Sequence, residues 1–253
     1  MNLNELVKKR QQLPPRMLFY SIAGWGKTTL ASSMPSPIFL DIEDGLMGID
    51  VPSFPVIDNY DSFEEYLRIL IKEDHEYKTV VLDSTSSLEK LIWAKVCKDN
   101  NKPNIESFGY ARGYTFAMTY WEKIIDGMEH LRKKGVAPVI LAHSEVRTFN
   151  SPVVDPYDRY VLKLHRHPAN RLTEWCDNIF FGNHRVLVKK GDDGFKQNNK
   201  GIGQGERVIY TEERPAFLAK SRMNLPFEID IPKVDGWAEI AKHINTTTET
   251  QEN

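Results

Sequence analysis

The residues best suited to chemistry form one stretch near the start of the chain. Residues 21–28 read SIAGWGKT, follow an apolar run and precede residues typical of a helix. They match the phosphate-loop pattern G-x-x-x-x-G-K-[ST] except at the first position, where Ser21 replaces glycine. Converging backbone N–H groups at a helix N-terminus stabilise phosphate oxygens. The stretch therefore predicts a binding site for a nucleoside triphosphate.

The residues of this loop have separate expected roles. Gly24 and Gly26 allow the backbone to wrap the phosphates without Cβ clashes. Lys27 can place its ammonium between the outer phosphates, and the Thr28 hydroxyl can bind Mg²⁺. If φ is positive at Ser21, the side chain adds strain of order 1 kcal/mol, so we expect Ser21→Gly to raise turnover.

Three further polar residues stand at the ends of apolar runs: Glu43, Asp83 and His143. The runs, at 37–42, 79–83 and 136–142, have the composition of buried parallel strands. Since α/β folds bind ligands at the carboxyl ends of such strands, we expect all three residues beside the phosphate loop. Asp83 ends its strand as a second Mg²⁺ ligand would. The predicted nucleotide-binding residues are Ser21, Ala23, Gly24, Trp25, Gly26, Lys27, Thr28, Thr29 and Asp83, with Thr28 and Asp83 at the metal.

The elements that position these residues alternate between strands and helices. Apolar periodicity predicts helices after Asp61-Ser62, after residues 84–87 and over 114–134, with short helices over 2–12 and 237–244. Residues 184–190 and 206–211 predict an antiparallel hairpin with a flexible, glycine-rich tip. The pattern is that of an α/β fold with a mostly parallel central sheet flanked by helices. We expect one domain over 1–245 and a disordered tail over 246–253.

Bulk composition limits the class of protein. The chain has 253 residues, with 41% hydrophobic and 27% charged residues, which is ordinary for a globular protein. A net charge of −2 excludes a strongly basic coat for nucleic acid but allows a local basic patch. Cys97 and Cys176 lack partners at metal-binding spacing. With no signal peptide and no membrane-length apolar run, we expect a cytosolic protein.

Two polar stretches leave two interpretations open. Residues 107–114 place Arg112 among aromatics and glycines, and residues 147–171 interleave basic and aromatic side chains without clear periodicity. Such composition suits single-stranded nucleic acid, whose bases stack on aromatic rings. The first stretch is equally consistent with a surface loop packed on itself, and the second with a solvated segment that faces another subunit.

The ordered set of motifs resembles the core of RecA-like ATPases. More narrowly, the chain looks like the phage-encoded AAA-type ATPases with RecA-like cores that accompany single-strand annealing recombination. The narrower likeness rests on residues 141–147, 157–160 and 210–215, and the whole likeness covers roughly residues 14–230. It implies that Lys27 and Thr28 bind ATP and Mg²⁺ and that Asp83 is the Walker B acid.

The resemblance also implies four catalytic residues. Glu43 would orient or deprotonate the attacking water, and His143 stands where the family has a polar sensor of the γ-phosphate, usually glutamine. Lys220 and Arg222 resemble a K-x-R pair that reaches the ATP of a neighbouring subunit. Such a pair requires assembly into a ring or filament.

The function that this resemblance implies is ATP hydrolysis stimulated by single-stranded DNA, in phage recombination or replication. The expected partners are single-stranded DNA at 107–114 and 147–171, further copies of the chain and a phage single-strand-binding protein, in the cytoplasm of a bacterial host. Two alternatives stay open: an ATP-gated assembly or loader protein with weak hydrolysis, and a small-molecule P-loop kinase.

Overall fold

A computed structural model describes residues 12–185, 187–189, 200–202 and 205–249. Its centre is an eight-stranded sheet in the order β10-β9-β6-β1-β4-β3-β2, with β5 paired to the far end of β4. The strands are β1 Met17–Ser21, β2 Pro37–Asp41, β3 Thr79–Asp83, β4 Ala137–Phe149, β5 Tyr157–Leu162, β6 Asn178–His184, β7 Leu187–Lys189, β8 Lys200–Ile202, β9 Arg207–Tyr210 and β10 Glu228–Asp230. The helices are α1 Lys27–Ser32, α2 Tyr60–Lys72, α3 Thr85–Asp99, α4 Arg112–Lys133, α5 Arg166–Trp175 and α6 Gly236–Glu249, with a 3₁₀ turn at Ile105–Phe108.

Strands β2, β3, β4, β1 and β6 run parallel, which confirms the predicted fold class. In the register, Ser21 lies beside His143 and Gly182, and Asp41 lies beside Asp83. The carboxyl ends of these strands therefore meet at one edge of the sheet. Strands β9 and β10 extend the sheet antiparallel, as does β5 beside β4.

Both faces of the sheet are buried, which explains the continuous apolar runs. Alternate residues of β1 face opposite sides: Leu18 and Tyr20 pack with α2, α3 and α4, whereas Met17 and Phe19 pack with α1 and α6. Tyr20 lies in the first core with its hydroxyl donating to the Leu218 carbonyl at 2.5 Å. None of the helices in the described part of the chain is long and apolar enough to cross a membrane.

Two helix starts differ from the sequence expectation. Helix α2 begins at Tyr60, because the side chain of Asn59 accepts a hydrogen bond from Ser62 N at 2.9 Å and so caps the helix. Helix α4 begins at Arg112, two residues before the predicted start.

The end of the chain also differs from the expectation. Helix α6 runs from Gly236 to Glu249 and so continues beyond the end of the short helix predicted over 237–244. Residues 250–253 and nearly all of the predicted 2–12 helix lie outside the described residues.

The prediction of an irregular 147–171 stretch is wrong. Strand β4 continues past the sheet to Phe149, β5 returns antiparallel with Arg147 opposite Arg159, and α5 begins at Arg166. A two-stranded ribbon at the edge of a fold has no fully buried face, so its polar residues concealed the strand pattern.

The predicted hairpin is right only in part. His184 does pair with Arg207, but β7 pairs with β8 instead of with residues 206–211. Of the predicted flexible tip at 191–205, residues 200–202 form β8, whereas residues 191–199, 203 and 204 lie outside the described residues.

Candidate nucleotide site

The phosphate loop connects the end of β1 at Ser21 to the start of α1 at Lys27. Gly24 and Gly26 have φ angles of 73° and 102°, in the left-handed region that favours glycine. Ser21 is buried as the last strand residue and is not among the residues with positive φ, so the expected strain is absent. Its hydroxyl instead accepts a hydrogen bond from Lys27 Nζ at 3.3 Å. The reason to expect faster turnover from Ser21→Gly is therefore removed.

Trp25 anchors the outer side of the loop to β6. Its indole is 1% exposed, and Nε1 donates to the Asn183 carbonyl at 2.8 Å. The ring lies over Gly182, where an added Cβ would meet it at 2.8 Å. Sequence reasoning placed Trp25 in the loop but missed this anchoring, because the partner glycine lies more than 150 residues away in the chain.

Lys27, Thr28 and Asp83 come together as the motif predicts. Thr28 Oγ1 donates to Asp83 Oδ2 at 2.7 Å. Burial raises the pKa of Asp83 to about 6, against the opposing hydrogen bond from Thr28. Lys27 is 7% exposed, and burial lowers the pKa of its ammonium although Asp83 and Glu43 oppose the shift. A hydroxyl beside a carboxylate is a donor set that suits Mg²⁺.

Glu43 and His143 also meet at this edge of the sheet. His143 Nε2 lies 3.0 and 3.1 Å from the two carboxylate oxygens of Glu43. The hydroxyls of Ser84 and Ser87 donate to the same carboxylate, Ser87 at 3.0 Å. The hydrogen bond from His143 is the largest cause that lowers the pKa of Glu43 to about 2. The carboxylate is thus held ionised by three neighbours.

Asp41 is a residue of the site that sequence reasoning did not select. It is buried at the end of β2, and its Oδ1 accepts hydrogen bonds from the backbone N–H of Glu43 at 3.1 Å and of Gly45 at 3.4 Å. These bonds close the acidic turn that carries Glu43. An aspartate followed by a glutamate two positions later at a strand end is the signal that could have revealed it.

Lys220 and Arg222 lie away from the phosphate loop of their own chain. Lys220 pairs with Ile179 at the start of β6, and its ammonium donates to the Thr173 carbonyl. Arg222 Nη1 lies 3.0 Å from Asp177 Oδ1, in the ion-pair cluster that includes Arg16. Because Asn178 at the start of β6 lies beside Met17, whereas Gly182 lies beside Ser21, this cluster is at the opposite end of the sheet from the loop. Catalysis by the pair within one chain is ruled out by this placement, and action on a neighbour's ATP stays a prediction.

A cleft of about 760 Å³ opens beside the Glu43–His143 pair. Its other wall carries Glu89, which is buried and accepts hydrogen bonds from the backbone N–H of His165 at 2.9 and 3.2 Å. Burial raises the pKa of Glu89 to about 7. The side chains that complete the cleft include Lys90, Trp93, Glu145, Arg147 and Lys163.

Glu89→Gln is expected to make stability less dependent on pH. The pKa of Glu89 is higher in the folded than in the unfolded chain, so ionisation costs folding free energy once the pH exceeds about 4.5, and the cost is complete above about 7. Glutamine still accepts from His165 N–H but carries no charge. We expect the free energy of unfolding in urea to rise by about 1–3 kcal/mol at pH 8 and to stay near wild type at pH 4. An equal difference at both pH values would contradict this account.

A family model described as an AAA domain, AAA_24, matches residues 13–223. No curated protein matches. Among solved structures, the RadB recombinase has a TM-score of 0.49 and 14% identity, over 88% of this chain and 90% of that one.

A second solved structure is similar at the same distant level. The KaiC-like protein PH0186 from Pyrococcus horikoshii OT3 has a TM-score of 0.41 and 12% identity, over 86% of this chain and 85% of that one. Similarity this distant carries no argument about function.

Because the family model spans most of the chain and the phosphate loop lies within it, the protein belongs to the AAA domain family and has its nucleotide-binding ATPase fold.

Proposed function

We propose that the protein binds ATP with Mg²⁺ at this site, hydrolyses it, and couples hydrolysis to single-stranded DNA. The observation that supports this most is the meeting of Lys27, the Thr28–Asp83 pair and Glu43 at the carboxyl ends of neighbouring parallel strands. These side chains would serve as the phosphate cation, the metal ligands and the water-orienting base that phosphoryl transfer to water needs.

The loop residues hold and neutralise the phosphates in this proposal. Lys27 contributes a buried ammonium, and burial lowers its pKa although the nearby carboxylates of Asp83 and Glu43 oppose the shift. Thr28 and Asp83 would hold Mg²⁺, and the ion, when bound, offsets charge on the phosphate oxygens. A cation beside Asp83 would also offset the burial that raises the pKa of this carboxyl group.

Glu43 is the catalytic base in this proposal, but in this structure its carboxylate is already hydrogen-bonded to His143. His143 bonds both of its carboxylate oxygens, and its lowered pKa makes it a weak proton acceptor. Hydrolysis would then require Glu43 to part from His143. This same observation favours the second candidate function, an ATP-gated loader with weak hydrolysis, for the protein without DNA.

The two stretches proposed to contact DNA meet in space. The ring of Tyr114 stacks on His165, with centroids 4.1 Å apart and planes at 5°. Tyr110 is fully exposed just before α4. Lys163, Arg166 and His167 are exposed, and the described residues give them no ion pair. Aromatic rings beside such cations suit an unstacked strand.

Three other basic residues of these stretches are neutralised by carboxylates of the same chain. Arg147, Arg159 and Arg171 form ion pairs with Glu145, Glu213 and Glu122, respectively. The proposed DNA surface is therefore narrower than the 107–114 and 147–171 stretches. It consists of Tyr110, Lys163, Arg166 and His167, and we call it the basic surface. The cleft connects Lys163 of this surface to the Glu43–His143 pair, so a bound DNA strand would reach Glu43, the proposed catalytic base.

The test is the rate of phosphate release with and without single-stranded DNA. We expect DNA to raise the rate, and we expect Lys163→Ala with Arg166→Ala to remove that rise but not the basal rate. Loss of two cations should lower the slope of log affinity against log salt by about 1.4. Arg171→Ala is the matched control, since this arginine is bound to Glu122. Equal rates with and without DNA, and no DNA binding at low salt, would contradict the proposal.

The wider role rests on the sequence resemblance. We propose action in phage recombination or replication in the cytoplasm of a bacterial host, with a phage single-strand-binding protein as a partner. Lys220 and Arg222 would reach the ATP of a neighbouring copy in a ring or filament. The exposed guanidinium of Arg222 supports such a contact, whereas the hydrogen bond from the half-buried Lys220 to the Thr173 carbonyl favours a local structural role.

A further inference from the structure

A guanidinium that no sequence motif predicts lies against the phosphate loop. Arg207 is the first residue of β9, and its Nη1 donates to the Trp25 carbonyl at 3.1 Å. Its Cζ lies 5.6 Å from the centre of the Trp25 ring, and its Nη2 donates to the Pro232 carbonyl. A Cβ on Gly26 would overlap the guanidinium. Glycine at position 26 thus serves contact with Arg207 as well as backbone conformation.

The charge of Arg207 has no anionic partner in the described part of the chain. Its hydrogen bonds go to carbonyl groups, and its buried Nε has no partner among the described residues. Burial lowers the pKa of the guanidinium. Arg185, which directly follows β6, differs in that it forms ion pairs with Glu206, Glu228 and Asp230. An uncompensated cation costs folding free energy, which an anion at the loop would offset.

The contact to the Trp25 carbonyl also determines which way the loop N–H groups point. In a planar trans peptide the C=O and the following N–H point in opposite directions. Holding the Trp25 carbonyl towards Arg207 therefore directs the Gly26 N–H away from Arg207. This N–H is one of the donors at the N-terminus of α1, where phosphate oxygens bind.

We propose that Arg207 is a positioning residue for the phosphate loop, which holds the Trp25–Gly26 peptide in the orientation that binds the phosphates common to ADP and ATP. The inference rests on the proposed nucleotide site. It assigns Arg207 no contact with the nucleotide itself. Its effect should accordingly be the same for ADP and ATP, because both carry the β-phosphate.

The experiment compares Arg207→Gln, Arg207→Lys and the matched control Arg185→Gln, with ADP and ATP affinities measured by calorimetry and the melting temperature measured without nucleotide. We expect Arg207→Gln to weaken ADP and ATP binding alike, by about tenfold. Arg207→Lys should retain most of the affinity, because lysine keeps the positive charge and has a longer stem than glutamine, so its ammonium can still donate to the Trp25 carbonyl. Arg185→Gln should lower the melting temperature but leave both affinities at wild-type values.

Three results would overturn the inference. One is wild-type ADP affinity in both Arg207 variants. Another is a loss confined to ATP, which would place Arg207 on the γ-phosphate. The third is an equal loss in Arg185→Gln, which would show that damage to this sheet edge is sufficient. If Arg207→Gln does not fold, Arg207→Met replaces it, because its unbranched side chain cannot donate to the Trp25 carbonyl either, and the same loss of ADP and ATP affinity is expected. A wild-type protein that binds neither nucleotide would instead refute the proposed function, and the inference with it.

Discussion

Glu43→Gln is expected to lower the turnover number for ATP by about 10² to 10⁴, with little change in ATP affinity. Glutamine keeps the size of the side chain and can still accept hydrogen bonds from Ser84 and Ser87. Glutamine cannot accept a proton from water. Its neutral amide also orients the water that attacks the γ-phosphate less strongly than a carboxylate does. The phosphate-loop contacts of Lys27 and Thr28 do not involve this side chain, so binding should persist.

The measurement pairs steady-state phosphate release with ATP affinity for the same preparation. Glu145→Gln is the matched control, because Glu145 lines the same cleft but is paired with Arg147. We expect this control to turn over ATP at the wild-type rate. A Glu43→Gln protein that retains full turnover would assign the base elsewhere, and one that loses affinity in step with turnover would place Glu43 among the binding residues.

Lys27→Met is expected to weaken ATP binding by about 100-fold or more, because it removes the ammonium that charge-assisted hydrogen bonds to phosphate require. In the protein without nucleotide the same change should raise stability. The lowered pKa of Lys27 shows that burial disfavours its charge, and the ammonium is bonded to a neutral hydroxyl, that of Ser21. A residue that costs stability without ligand and binds ligand strongly is typical of a functional site.

Thermal unfolding with and without Mg-ATP separates the two effects. Without nucleotide, wild type should melt at a lower temperature than Lys27→Met. With Mg-ATP, the melting temperature of wild type should rise strongly, whereas that of Lys27→Met should rise little. Lys95→Met is the control, because Lys95 forms ion pairs with Asp61 and Asp99. This variant should be less stable than wild type, but its response to nucleotide should be unchanged. A Lys27→Met protein that is still stabilised by Mg-ATP to the wild-type extent would contradict the assignment.

Some parts of the fold were readable from the sequence because burial leaves a continuous signal. The strand Thr79–Asp83 was predicted with its observed bounds, since both faces of a parallel strand are buried and the apolar run ends where the sheet ends. For the same reason, the ends of three apolar runs correctly predicted that Glu43, Asp83 and His143 lie at the carboxyl edge of the sheet. The loop at 21–28 was readable because its glycines and lysine occupy fixed spacings.

Other parts depended on contacts that no local pattern records. Trp25 meets Asn183 and Arg207 across 158 and 182 positions of the chain, so nothing near Trp25 announces either partner. The ribbon of β4 and β5 was missed because polar residues such as Arg147 and Arg159 interrupt the apolar pattern of both strands. The strain expected at Ser21 followed from the motif alone, whereas the fold places this residue inside a strand.

The most direct test of the central claim, that this edge of the sheet binds and hydrolyses ATP, is phosphate release from Mg-ATP by wild type and Glu43→Gln, measured together with ATP binding and with single-stranded DNA present. The account predicts that both proteins bind ATP with similar affinity and that wild type alone releases phosphate at an appreciable rate. Equal release by the two proteins, or no ATP binding by wild type, would contradict it.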